Sequence, residues 1–293
     1  MRFVFRLLSL LPLSVLYRLG DAIHFVAYRV LRWRAGLAAA NVARAFPDKT
    51  AVERAAIVEQ SYRNLADLIA EILWGFGATP EQLRERVRVE NPELINDETR
   101  SGRSVLLLTA HFCNWEWQVL AGNLVLDQPM FPVYKPQRVG MIDRFLREAR
   151  GRFGGEPIPH KALTRFLLKR RSGAHVYAMV ADQTPTIDEP KHWTAFLHQD
   201  SAFFVGADAI ARILQAPVFF VEMRRVGRGR YTMRLARLAD PPHAKGAGPA
   251  LIDCYARALE REIRASPADW LWVHNKWKYH QTAVAVEDIG VSH

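Results

Sequence analysis

The sequence predicts a mixed α/β fold, with a central sheet flanked by helices. Three observations predict it. Apolar runs of strand length at 105–110, 175–180 and 218–223 alternate with stretches whose apolar residues recur at helical spacing. A hydrophobic content of 49% over 293 residues is enough for one large core or two modest ones. No internal repeat and no low-complexity linker divides the chain.

The first forty residues stand apart. Residues 3–19 are apolar apart from Arg6, Arg18 and a few small polar side chains, and a second apolar stretch, 22–31, is interrupted by His24 and Arg29. Arg2, Arg6, Arg18, Arg29, Arg32 and Arg34 stand against Asp21 alone. Neither run reaches the roughly 20 apolar residues of a standard span, and no clear small-residue cleavage site follows the first. The expectation is an N-terminal membrane-associated amphipathic helix over 1–40, with or without a short span, and a main domain over 41–293. The arginine excess favours an anionic, cytoplasmic leaflet. The alternative is a helix packed on the rest of the chain.

In the main domain, residues 50–76 carry Val52, Ala56, Ile57, Leu65, Leu68, Ile69 and Ile72 at helical spacing. Thr79-Pro80-Glu81-Gln82 supplies a cap and first turn for a short helix. Residues 105–110 form a strand with His111 at its end, and 131–134 a second. Helices follow at 141–150 and 161–169, separated by a flexible glycine-containing loop at 151–155. The strand 175–180 runs into Asp182-Gln183. Pro185 and Pro190 mark 184–202 as a loop over a site. A helix at 207–214 leads to strands at 218–223 and 231–238, joined as a hairpin through Gly227 and Gly229. A last helix, 249–265, precedes the aromatic and basic segment 270–278.

The formal net charge of +10 points to an anionic partner. No zinc-finger or aromatic RNA-binding signature is present, so a membrane surface is favoured and nucleic acid is not expected. Two cysteines, Cys113 and Cys254, are too few for a disulfide framework and fit a reduced compartment. They also offer no thiolate cluster for a structural zinc, and no metal site is expected.

His111 carries the chemistry. It ends an apolar strand, and Glu116 follows five positions later. An imidazole is suited to act as a general base near neutral pH, with a carboxylate to orient it. No Gly-x-Ser-x-Gly elbow accompanies it, which points to a substrate hydroxyl as nucleophile. The bland alternative is a buried histidine bonded to backbone, with Glu116 solvated on the next helix.

The motif His111-Phe-Cys-Asn-Trp-Glu116 resembles the His-x-x-x-x-Asp/Glu site of glycerolipid-type acyltransferases. It is most similar to the bacterial lipid A late acyltransferases, the lauroyl and myristoyl transferase family. Val133-Tyr-Lys-Pro136, Asp182-Gln183, Phe203-Phe-Val-Gly206 and Trp270-Leu-Trp-Val-His274 follow in family-like order across nearly the whole chain. The resemblance implies a glycerolipid-acyltransferase-like sheet in the acyltransferase domain 41–293. It also implies the cytoplasmic face of the bacterial inner membrane and no cofactor. The fatty acyl group would come from an acyl carrier protein or acyl-CoA thioester and go to a hydroxyl of a phosphorylated lipid A precursor. His111 would then deprotonate the acceptor hydroxyl and Glu116 would orient it.

By the same resemblance Arg150 is the first candidate to meet the oxyanion, with Arg152 beside it as donor or phosphate contact. Asp182 matches an acidic family position that organises the pocket. Lys135, Arg138, His274 and Lys276 are candidate contacts for acceptor phosphates. Phe203, Phe204, Trp115 and Trp117 are candidates to border an acyl chain or simply to fill the core. Asn275 and Lys276 stand where the family carries an arginine-rich sequence, which weakens the headgroup assignment. Two other functions fit the same residues: acyl transfer to a different glycolipid or aminolipid, and a basic membrane adaptor without catalysis.

Overall fold

Residues Val105–Thr109 are buried at every position, as expected of a strand with parallel neighbours on both sides. The computed structural model describes residues 2–169, 173–244 and 248–279. Residues 280–293 of the expected 41–293 domain lie outside the described residues. Strands β1 (Val87–Val89), β2 (Val105–Thr109), β3 (Met130–Tyr134), β4 (Ile158–Pro159), β5 (Val176–Val180), β8 (Val218–Gly227) and β9 (Arg230–Ala239) form one sheet. Its order is β1-β9-β8-β2-β5-β3-β4. β8 and β9 are antiparallel and the other pairings are parallel. The mixed α/β expectation therefore holds for the sheet and its flanking helices.

The helices are α1 (Arg2–Ser9), α2 (Leu13–His24), a π-helical turn (Phe25–Val30), α3 (Ala35–Ala45), α4 (Ala51–Gly77), α5 (Pro80–Arg84), α6 (Glu93–Arg100), α7 (Trp115–Val125), α8 (Gly140–Arg150), α9 (Leu163–Lys169), α10 (Gly206–Leu214) and α11 (Gly248–Ala265). Several begin where the sequence supplies caps. Thr50 and Glu53 close a reciprocal capping box at α4, and Thr79 and Gln82 do the same at α5, with Pro80 in the first turn. Asn114 caps α7, its Oδ1 accepting the Trp117 N–H at 2.9 Å.

Two expectations are corrected. Residues 184–202 are not simply a loop: β6 (Lys191–Phe196) and β7 (Gln199–Phe204) form a separate antiparallel hairpin. Its two-residue turn places Leu197 and His198 at φ 50 and 64. Such turns ordinarily advertise themselves by glycine or asparagine. Here neither is present, so the turn is silent in the sequence.

The N-terminal membrane-associated helix, and the inner-membrane location built on it, are also corrected. Among the described residues no helix is long and apolar enough to cross a membrane. The segment breaks into pieces of 8, 12 and 6 residues. α2 lies against α4, burying Leu13, Leu16 and Gly20. Tyr17 donates to Glu71 of α4 at 2.8 Å, and Asp21 pairs with Arg228 at 2.6 Å. Those partners lie far along the chain, which is why the segment reads as detached in the sequence.

α3 has a different task. Its Asn41 Nδ2 donates to the carbonyls of Trp272 and His274, both at 2.9 Å, and Arg34 donates to Val273 O at 2.8 Å. The C-terminal loop is thereby fastened above the sheet. Because α2 is part of the packed protein, Leu16→Ala should lower unfolding free energy by about 2–5 kcal/mol, the range for a buried leucine. Urea denaturation measures this, and an unchanged midpoint would show that α2 contributes nothing.

Candidate active site

Parallel neighbours β2 and β5 end on the same edge of the sheet, where open α/β sheets commonly bind ligands. Thr109 pairs with Val180, and the ladder continues with Ala181 N–H donating to Thr109 O at 3.0 Å. The same register brings His111 beside Asp182. The His111 N–H donates to Asp182 Oδ2 at 3.1 Å, so a carboxylate ends the ladder where a backbone carbonyl would have continued it. His111 Nδ1 lies 2.7 Å from Asp182 Oδ1.

An ionised carboxylate can only accept, so Nδ1 carries a proton, and in the neutral ring Nε2 keeps its lone pair. Nε2 lies 3.3 Å from the Gln183 amide nitrogen, on the partly exposed side of the ring. The Trp115 ring stands edge-on to the imidazole, with centroids 5.0 Å apart. A histidine held in this way can take a proton at Nε2 while its charge is balanced from behind.

Asp182 is buried. Burial alone would raise its pKa, but attraction and hydrogen bonding from His111, with a further bond from Trp270 Nε1 at 2.9 Å, hold it well below the usual carboxylate range. Lys276 Nζ donates to the Asp182 carbonyl and to Ala202 O, both at 2.9 Å. Burial pushes Lys276 down to about 7. Its ammonium sits 3.5 Å from the Phe203 ring centroid, in the interior rather than on a surface open to phosphate. His274 is pushed down to about 4 by burial, against the pull of Asp182. Its Nε2 accepts the Thr184 N–H at 3.2 Å, a bond that fixes the chain just after Asp182.

Glu116 does not meet His111 through a hydrogen bond. Its carboxylate is gripped by Arg150, with Nε to Oε2 at 2.7 Å and Nη2 to Oε1 at 2.6 Å. Burial works against the Arg150 charge, but Glu116 more than offsets it and the pKa is raised. The guanidinium also lies over the Tyr134 ring. α7 and α8 thus each contribute one half of a bidentate ion pair. Arg152 is elsewhere: it donates to Phe76 O and Ala78 O, closing the end of α4. Lys135 and Arg138 are exposed in the segment after the carboxyl end of β3, on the same sheet edge as His111 and Asp182.

The aromatic candidates separate. Trp117 and Phe203 are fully in the core, while Trp115 remains beside His111. A buried polar group went unread in the sequence: Glu71, Arg225 and Asp269 lie beneath the turn that carries His111. The available signal was Asn64, Asp67, Glu71 and Trp74 at spacings that put them on one buried face of α4.

Asp182 yields a pH test. Its depressed folded-state pKa means that its ionised form stabilises the fold fully above the unfolded value near 3.9, and that this stabilisation is lost as pH falls toward the folded value. Urea denaturation of wild type against Asp182→Asn should therefore give a difference that shrinks as pH falls below about 4. A difference flat into strong acid would contradict this.

The sequence profile for bacterial lipid A biosynthesis acyltransferases matches residues 1–279. A lipid A biosynthesis lauroyltransferase of Escherichia coli (strain K12) is 25% identical over 273 residues, spanning 92% of this chain and 87% of the relative. A lipid A biosynthesis palmitoleoyltransferase of the same strain is 23% identical over 271 residues, spanning 92% and 86%. A lipid A biosynthesis acyltransferase of Haemophilus influenzae is 20% identical over 280 residues, spanning 94% and 88%. The protein is an O-acyltransferase and belongs to the bacterial lipid A biosynthesis acyltransferase family.

Proposed function

We propose that the protein moves a fatty acyl group from an acyl carrier protein thioester to a hydroxyl of a phosphorylated lipid A precursor, with His111 as general base. The observation that carries this reading is His111 Nδ1 held 2.7 Å from Asp182 Oδ1, which turns Nε2 toward the partly exposed side of the ring. The acceptor O–H gives its proton to Nε2 as its oxygen attacks the thioester carbonyl carbon. The imidazolium that forms is stabilised by the Asp182 carboxylate. Collapse of the tetrahedral intermediate breaks the C–S bond, and the departing thiolate takes the proton back from Nε2. The products are an ester and a free thiol.

Arg150 is the group we assign to the oxyanion. Its Nε and Nη2 are committed to Glu116, so the Nη1 edge of the fork is the one assigned to meet the developing charge. In this reading Glu116 holds the arginine rather than the histidine. Lys135 and Arg138, exposed on the same sheet edge, are assigned to the phosphates of the acceptor.

The test is an assay with lauroyl and palmitoleoyl thioesters of acyl carrier protein and underacylated lipid A, read by free thiol and by product mass. Wild type should form a new ester. Folded His111→Ala should lose about 100- to 10,000-fold in kcat, the usual contribution of a general base. Transfer to another glycolipid or aminolipid with none to lipid A would replace the acceptor and keep the mechanism. Full activity in His111→Ala would end it.

A further inference from the structure

The turn between β2 and α7 is tightly bent. Cys113 adopts φ 51, the left-handed region that a side chain with a Cβ avoids. Such a conformation persists only when its surroundings hold it. Two sets of contacts do so. On one side the Cys113 N–H donates to Asp269 O at 2.9 Å, and its Sγ donates to Met223 O at 3.1 Å. On the other, Asn114 Nδ2 donates to Glu71 Oε2 at 2.7 Å while Asn114 Oδ1 caps α7.

Both sets lead to the same buried group. Glu71 is wholly inaccessible, yet it accepts from Tyr17, Tyr231 and Asn114 at 2.8, 2.7 and 2.7 Å. Its backbone carbonyl accepts the Trp117 indole N–H at 3.0 Å. Arg225 Nη1 lies 3.8 Å from Glu71 Oε1, and Arg225 Nε donates to Asp269 Oδ1 at 3.0 Å. Asn64 and Ser266 complete the Asp269 carboxylate at 2.9 and 2.6 Å. Burial raises the Glu71 pKa, while the neighbouring guanidinium and the three donors pull against it by favouring the acceptor-only form.

We infer that Glu71 and Arg225 are positioning residues for acyl transfer. Together they set the turn that carries both His111 and Glu116, Glu71 through Asn114 and Arg225 through Asp269. The inference rests on the reading of His111 as base. It adds that the base and the Glu116–Arg150 pair share one buried anchor, so their separation is fixed from below. Ordinary stabilisation predicts a loss of melting temperature with activity per folded molecule retained. Positioning predicts a loss of kcat in protein that remains folded.

A reciprocal exchange tests this. In Asn114→Asp the cap on Trp117 survives, but the Nδ2 donor to Glu71 is lost and two acidic side chains face each other there. In the double variant Glu71→Gln/Asn114→Asp the amide and carboxylate change places, restoring the bond between positions 71 and 114, while the Tyr231 hydroxyl, which donates to the same Glu71 oxygen, has to turn and accept from the new amide. Full-length protein, shown folded by circular dichroism, is assayed with lauroyl–acyl carrier protein and underacylated lipid A. Asn114→Asp should lose on the order of 100-fold in kcat with KM nearly unchanged, and the double variant should recover at least tenfold of that loss.

The proton NMR signal of the His111 Nδ1–H bonded to Asp182 is a second readout that needs no turnover. It should shift or broaden in Asn114→Asp and return in the double variant. Unchanged kcat and an unchanged signal in folded Asn114→Asp would overturn the inference, as would a double variant with neither recovered. Retained activity in His111→Ala strikes the functional reading instead, and the Nδ1–H signal then decides the anchor by itself.

Discussion

Asp182 is the constraint on which the site depends. One carboxylate takes the His111 side chain on one oxygen and the His111 backbone and Trp270 indole on the other. Burying an ionised group is costly unless its lone pairs are filled and a partner charge or donor is near. Here the filling donors come from the turn after β2 and from the segment that carries Trp270, so satisfying the carboxylate also joins those two parts. Lys276 extends the same logic to the main chain by holding the carbonyl of Asp182 together with that of Ala202.

The C-terminal loop is therefore a working part of the site. Phe112 bridges to Trp270, Leu271 N–H donates to His111 O at 3.1 Å, and Cys113 N–H reaches Asp269 O. α3 braces the far side through Asn41 and Arg34. Together these bonds hold the chain on both sides of His111.

Much of this was legible from local pattern. The buried strand ending in His111, the strand leading to Asp182, the capped helix at 51–77 and the β8–β9 hairpin all carry period, cap or glycine signals. The exchange of partners was not legible. Glu116 is near His111 in sequence and on the first turn of the next helix, but Asp182, 71 positions away, is the residue its imidazole meets. Parallel register decides that pairing, and register between distant strands leaves no local trace. The N-terminal segment failed for a related reason. Arginines among apolar residues suit a bilayer surface as well as a protein one, and the partners that the structure gives the segment, Glu59 for Arg29, Val273 for Arg34, Glu71 for Tyr17 and Arg228 for Asp21, lie far along the chain.

The two cysteines differ in a way that is useful at the bench. Cys113 is enclosed, with burial pushing its thiol well above the usual range, whereas Cys254 is exposed on α11. Thiolate is the form that reacts with maleimides and iodoacetamides, and it must be reachable. A fluorophore or spin label applied to the folded wild-type chain therefore attaches at one place, on a helix remote in sequence from the β2–α7 turn. Distances from that single reporter can follow a bound substrate with both native cysteines in place.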